Sequence, residues 1–74
     1  MDHSAATQRQ RILEYLQKHQ HGADTMELVK NLDILRPAAR ISELRRLGYD
    51  IISHRRRILG HDGVAVYILL STPK

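Results

Sequence analysis

The sequence predicts an α+β domain in which three helices are followed by a C-terminal β-hairpin. Two patterns carry that prediction. Up to Gly48, apolar residues recur at helical spacing in three segments, each opened by a capping residue or a proline. Beyond Gly48 the pattern changes to β-branched and aromatic runs divided by Gly60-His61-Asp62-Gly63. A third observation bears on function. Residues 36–57 hold seven arginines against two acids, Glu43 and Asp50, although the whole chain has a net charge of only +4.

Residues 1–6 read as a disordered N-terminal segment, with Asp2 and no lysine or arginine. The domain is expected over residues 7–70, and a tail over 71–74 where Pro73 stops the last strand. The first helix is expected over residues 8–19, with Thr7 as N-cap and Gln10 completing a capping box. Ile12, Leu13 and Leu16 form its apolar stripe. His19-Gln20-His21-Gly22 then reads as a solvated linker. Two histidines two residues apart, with no cysteine and no acid at ligand spacing, do not make a metal site.

The second helix is expected over residues 25–32. Asp24 and Glu27 are placed for a capping box, with Thr25 as the alternative cap. Met26, Leu28, Val29 and Leu32 supply its buried face. Leu32, Ile34 and Leu35 should pack inside the turn that follows. The third helix, residues 36–47, has both ends marked. Proline suits the first helical position, whose N–H is unsatisfied anyway. Glycine suits the left-handed position just past the end. Ala38, Ile41, Leu44 and Leu47 give one apolar face. Arg36, Ala39, Ser42, Glu43 and Arg46 lie opposite, and Arg40 and Arg45 flank the stripe.

Residues 49–57 suit a strand, Asp62-Gly63 is a strong turn pair, and residues 64–70 form the clearest strand of the chain. Both faces of that strand are apolar. The preferred inward set is Ile51, Tyr67 and Leu69.

Two helices joined by a short turn, the second basic on its outer face, make a helix-turn-helix, and the hairpin makes it winged. The run Arg40-Ile41-Ser42-Glu43-Leu44-Arg45-Arg46-Leu47-Gly48-Tyr49-Asp50-Ile51 resembles the signature of a small helix-turn-helix family common in bacteriophage and prophage proteins. Thr25-Met26-Glu27-Leu28 and Tyr67-Ile68-Leu69 fall where that family places its second helix and last strand. The likeness spans about residues 8–70. A looser similarity extends to the DNA-binding domain of the biotin repressor, which shares the pattern of helix, Leu-Arg, Gly and extended hairpin.

The resemblance implies a recognition helix over about residues 37–47 and a wing tip over residues 54–63, both directed at double-stranded DNA. The N-terminal part of such a helix meets base edges. That puts Arg36, Ala39, Arg40 and Ser42 first in line, with Glu43 next. Arginine binds guanine O6 and N7, glutamate accepts from cytosine N4, and alanine touches a thymine methyl. Arg45 and Arg46 are placed for phosphates. The alternatives for them are the negative C-terminal end of the helix dipole and, for Arg45, packing of its stem on the core. Arg55, Arg56 and Arg57 are expected to straddle a phosphate backbone or enter a narrow minor groove. Their alternative role is a charged edge strand that blocks aggregation.

The function expected is that of a transcriptional regulator or phage-type architectural factor. So small a domain buries limited surface on DNA, so a homodimer or cooperative neighbours are expected. A dimer would use the first helix or the second apolar face of the last strand. The rival reading is a protein-interaction winged helix, docking a partner on the apolar side of residues 64–70. RNA binding is disfavoured because Tyr15, Tyr49 and Tyr67 are the only aromatics and make no stacking platform. An enzyme is not expected. There is no cysteine nucleophile, no glycine-rich phosphate loop and no paired-carboxylate motif. No cofactor, metal or small-molecule ligand is implied. The absence of cysteine fits a reducing compartment. No apolar run approaches the ~20 residues of a membrane span, and Met1-Asp2-His3-Ser4 lacks the layout of a signal peptide. A soluble, cytoplasmic protein is therefore expected.

Overall fold

A computed structural model describes residues 4–73. The chain runs α1 (Ala5–Lys18), β1 (Ala23–Asp24), α2 (Thr25–Leu32), α3 (Pro37–Arg46), β2 (Asp50–Ile58) and β3 (His61–Ser71). The strands form one antiparallel sheet in the order β1-β3-β2, and the helices pack on one face of it. This is the expected α+β arrangement, three helices with a hairpin wing, enlarged by a third strand.

α1 starts earlier than expected. Ser4, not Thr7, is the N-cap, and its hydroxyl accepts from the Thr7 backbone N–H at 3.2 Å. Ala5 and Ala6 are the strongest helix formers available, and serine caps at least as well as threonine. Residues 4–6 are thus cap and first turn rather than a disordered leader, while residues 1–3 of that expected segment lie outside the described residues. Ile12, Leu13 and Leu16 are buried as expected. His19 closes the helix at its expected C-terminal bound. Its backbone N–H donates to the Tyr15 carbonyl, and its ring stacks on Tyr15 with centroids 4.0 Å apart.

The short β1 has no counterpart in the expected fold. It pairs Ala23 with Tyr67 and Asp24 with Val66, and Ala23 is fully buried. Gly22 makes that approach feasible. It sits at φ +113°, and a Cβ there would lie 2.9 Å from Val66 Cγ1. The capping box of α2 is formed in both directions. Asp24 Oδ1 accepts from the Glu27 N–H at 2.9 Å, and Glu27 Oε1 accepts from the Asp24 N–H at 3.2 Å. Thr25 is not the cap; its hydroxyl donates to the Ala65 carbonyl of β3 at 3.2 Å. Leu28 is fully buried, whereas Met26, Val29 and Leu32 are half-buried. In the turn Ile34 is fully buried, but Leu35 is 82% exposed rather than packed.

α3 begins at Pro37 and ends in a Schellman arrangement. The Gly48 N–H reaches the Arg45 carbonyl and the Tyr49 N–H reaches the Leu44 carbonyl, each at 3.1 Å. Its buried stripe is Pro37, Ile41 and Leu44. These positions are spaced i, i+4, i+7 and stack along one line of the helix. Ala38, expected on that face, is one residue off the line and exposed, and Leu47 is 58% exposed.

The hairpin turns at Leu59-Gly60, both at positive φ (49° and 81°), a two-residue reversal that matches strand twist. Asp62-Gly63 is therefore not the turn. It lies within β3 where the register shifts, with Gly63 at φ +70° absorbing an extra residue. The inward parity is the expected one: Ile51 and Tyr67 are buried, and Leu69 packs on the core. Together with Ile12, Leu16, Leu28, Ile34, Ile41 and Leu44 they hold the helices against the sheet.

Candidate nucleic-acid interface

The seven arginines of residues 36–57 divide into two groups. One group is tied to the protein. Arg40 Nη2 donates to Glu43 Oε2 at 3.0 Å, and Arg9 Nη1 of α1 donates to Glu43 Oε1 at 2.8 Å. Glu43 is thus shared by two guanidiniums. Arg40 Nε is buried with no hydrogen-bond partner among the described residues, a cost that its ion pair with Glu43 offsets. Arg45 Nε donates to the Ile51 carbonyl at 2.8 Å, tying the end of α3 to the start of β2. Its Nη2 lies 3.5 Å from Ser53 Oγ. Arg55 Nη1 crosses the hairpin to the Gly63 carbonyl at 2.9 Å.

The other group faces water. Arg36 and Arg56 are exposed and make no side-chain hydrogen bond or ion pair among the described residues. Arg46 is exposed, with only a 3.5 Å approach to Ser42 Oγ. Arg57 stands 3.6 Å from Asp62 Oδ1, but both side chains are largely solvated. Such a pair is worth little and can exchange partners freely. Ala39 and Ser42 are half-buried.

The electrostatic result is one-sided. Glu43, the only acid on α3, is covered by two cations, so no free negative charge opposes a phosphate along that helix. Arg45, bound to both elements, makes the basic side of α3 continuous with the base of the wing. Arginine suits this duty because its planar fork keeps donors over after one contact is made.

Sequence reasoning missed two features of this surface. Ala38 occupies the exposed face of α3, and the actual stripe with Pro37 would have placed it there. Arg9 joins Glu43 across thirty-four residues, and no local pattern signals such a contact.

A sequence-family model described as a winged helix-turn-helix domain matches residues 7–72. The chain belongs to the winged helix-turn-helix family. No curated relative and no solved structure matches it. Membership in a winged helix-turn-helix family suggests a DNA partner and a non-enzymatic role. In this winged helix-turn-helix domain, no helix among the described residues is long and apolar enough to cross a membrane.

A second polar cluster lies away from this surface. The Tyr15 hydroxyl donates to Glu27 Oε2 at 2.8 Å and accepts from Asn31 Nδ2 at 3.0 Å. Burial acts to raise the Glu27 pKa, but hydrogen bonds from Tyr15 and the Asp24 backbone, with His19 nearby, pull it below its ordinary value. Tyr15 is raised, chiefly by burial and then by the neighbouring Glu27 carboxylate, against the lowering effect of Asn31. This cluster joins α1 to α2 and stabilises the fold.

Proposed function

We propose that the domain binds double-stranded DNA sequence-specifically as a transcriptional regulator or phage-type architectural factor. In this reading α3 enters the major groove and the wing lies on the flanking backbone or minor groove. The observation that supports it most is the sorting of the arginines. Those that face water sit at the start of α3 (Arg36), at its end (Arg46) and on the wing (Arg56, Arg57), with Arg45 joining the two elements.

Arg36, at the N-terminal end of α3, is placed for base edges, with Ala38, Ala39 and Ser42 as small neighbours that allow close approach. Arg46, Arg56 and Arg57 are assigned to phosphates. Glu43 acts through orientation, holding α3 against α1 through Arg9 while Arg40 steadies its carboxylate, so that the other side chains meet the groove in register. Arg55 stiffens the hairpin. A single module of this kind covers about 600–1,000 Å² of protein surface, so two copies on paired half-sites, or cooperative neighbours, complete a specific complex in the cytoplasm.

Titration of mixed-sequence duplex at several salt concentrations tests the reading. Binding with a steep negative log–log salt slope is expected. No binding at ~50 mM salt, where the electrostatic attraction is strongest, overturns it. That outcome would favour a second reading, a protein-interaction module, for which the cross-strand partners Ile52 and Ile68 on the outer sheet face are the supporting observation.

A further inference from the structure

We propose that Leu59 is an apolar wedge for the minor groove: it enters a deformable base step, partly unstacks it and bends the duplex. This rests on the DNA-binding reading above. Three observations lead to it. First, Leu59 holds φ +49° at the first position of a two-residue turn, where asparagine, aspartate or glycine serve best because a Cβ is strained there. Second, the fold covers little of that side chain: Leu59 is 84% exposed, although it helps line an open cleft with Ile58, Met26 and Val29. Third, the strand leading into the tip carries cations free for phosphate: Arg56 is unengaged among the described residues, and Arg57 is held only through a solvated contact to Asp62 on the facing strand.

The neighbouring residues prepare the tip for insertion. Ile58 is half-buried and lines a cleft of about 550 Å³ with Met26 and Val29 of α2. Arg55, bonded to the Gly63 carbonyl, braces the hairpin just below. A short, braced reversal carrying an exposed leucine next to a run of three arginines on one strand has the composition of a groove wedge, where apolar insertion accompanies phosphate contact.

The test uses the full chain and a 25-base-pair duplex, with 2-aminopurine at a central TA step and donor and acceptor dyes at its ends. Pyrimidine–purine steps of this kind unstack most easily. On saturation with the native chain, 2-aminopurine emission should rise and the end-to-end distance should shorten. Leu59→Gly keeps the turn and relieves its strain, so its thermal midpoint should not fall. It should lose both signals and bind about tenfold more weakly, with an unchanged salt slope because no charge is removed. Leu59→Asn, which also tolerates the left-handed backbone, should behave likewise. Arg56→Ala should bind more weakly with a shallower slope, yet still unstack the step at saturation. The wedge is overturned if the native chain binds without unstacking, or if Leu59→Gly unstacks and bends the duplex as the native chain does. Failure of the native chain to bind any duplex at ~50 mM salt is a different result, which removes the DNA-binding reading and the wedge with it.

Discussion

Arg9 and Glu43 lie thirty-four residues apart in the chain and meet at 2.8 Å, so that α1 holds α3 by its only acidic side chain. Arg40 takes the second oxygen of the same carboxylate. Removing the carboxylate leaves two guanidiniums facing each other, one with a buried Nε already short of a partner. Glu43→Ala should therefore lower stability by about 1 kcal/mol, the upper range for partly exposed pairs, as read from urea midpoints. Binding to mixed-sequence duplex should hold or strengthen, because two positive charges are uncovered. A large loss of stability-corrected affinity for one base at one site position would instead show that Glu43 faces a base directly.

The wing and the end of α3 should respond alike to loss of charge. Arg46→Ala and Arg56→Ala each remove an exposed guanidinium that no structural contact at good distance requires. Both should leave the unfolding free energy within about 0.5 kcal/mol of the native value, as for other exposed positions. Both should weaken binding to all duplexes and reduce the log–log salt slope by about 0.9. Arg36→Ala should behave differently, altering which sequences are selected from a random duplex library. Uniform loss in all three variants would mean that α3 reads no bases.

What the sequence shows depends on how locally each feature is encoded. The capping box of Asp24 and Glu27, the Pro37 start and the Gly48 stop of α3 are each written within four residues, and all three form as expected. The inward parity of Ile51 and Tyr67 is not fixed by alternation, because both faces of the last strand are apolar; packing against the helices selects the preferred set. β1, only two residues long, carries no periodicity, and it exists because Gly22 lets the chain lie against Val66. The turn at Leu59-Gly60 escapes notice because leucine is a poor left-handed residue, while Asp62-Gly63 nearby carries the stronger signal yet serves as a bulge. At the candidate interface the composition of the basic surface is visible in the chain. Which arginines are spent on the fold is not, since Arg45 and Arg55 are engaged by backbone carbonyls that only tertiary structure brings near.

Acid should weaken the α1–α2 junction. Folded Glu27 holds its proton less tightly than the unfolded chain does. Its stabilising contribution is full above the ordinary value of 4.5, and it is lost as pH falls through the lowered folded value. The groups around it are the Tyr15 hydroxyl, Asp24 and His19. Glu27→Gln keeps a side chain able to complete the capping box but cannot titrate. Its stability, measured by thermal melts between pH 3 and 7, should be lower than native near neutrality and fall less steeply toward acid. Tyr15 acts at the other limit: its pKa is raised from 10.0, so its contribution is present below that value and fades as pH rises through the folded one. Parallel acid limbs in native and Glu27→Gln proteins would show that the charge on Glu27 contributes nothing to stability.

Two glycines separate steric from conformational cost. At Gly22 an added Cβ meets Val66 Cγ1 at 2.9 Å, Ile68 Cγ1 at 3.1 Å and the Tyr67 carbonyl at 3.3 Å, on a backbone already at φ +113°. Val66 is β-branched and stiff at χ1, and the carbonyl belongs to the central strand, so neither can yield cheaply. Gly22→Ala should cost about 2–4 kcal/mol, the sum of a strained φ and an overpacked contact. At Gly60 the φ is +81° but nothing lies within 4 Å. Gly60→Ala should cost about 1–2 kcal/mol, from backbone strain alone. Against a total stability of about 5–15 kcal/mol for a domain, the first change should shift the urea midpoint well beyond the second. It should also raise amide exchange at Ala23 and Asp24 selectively, because the pairing of β1 with Tyr67 and Val66 is what the new methyl pushes apart. Equal shifts in the two variants would mean that β1 moves aside without loss, and that the third strand is an ornament of the sheet rather than a support for α2.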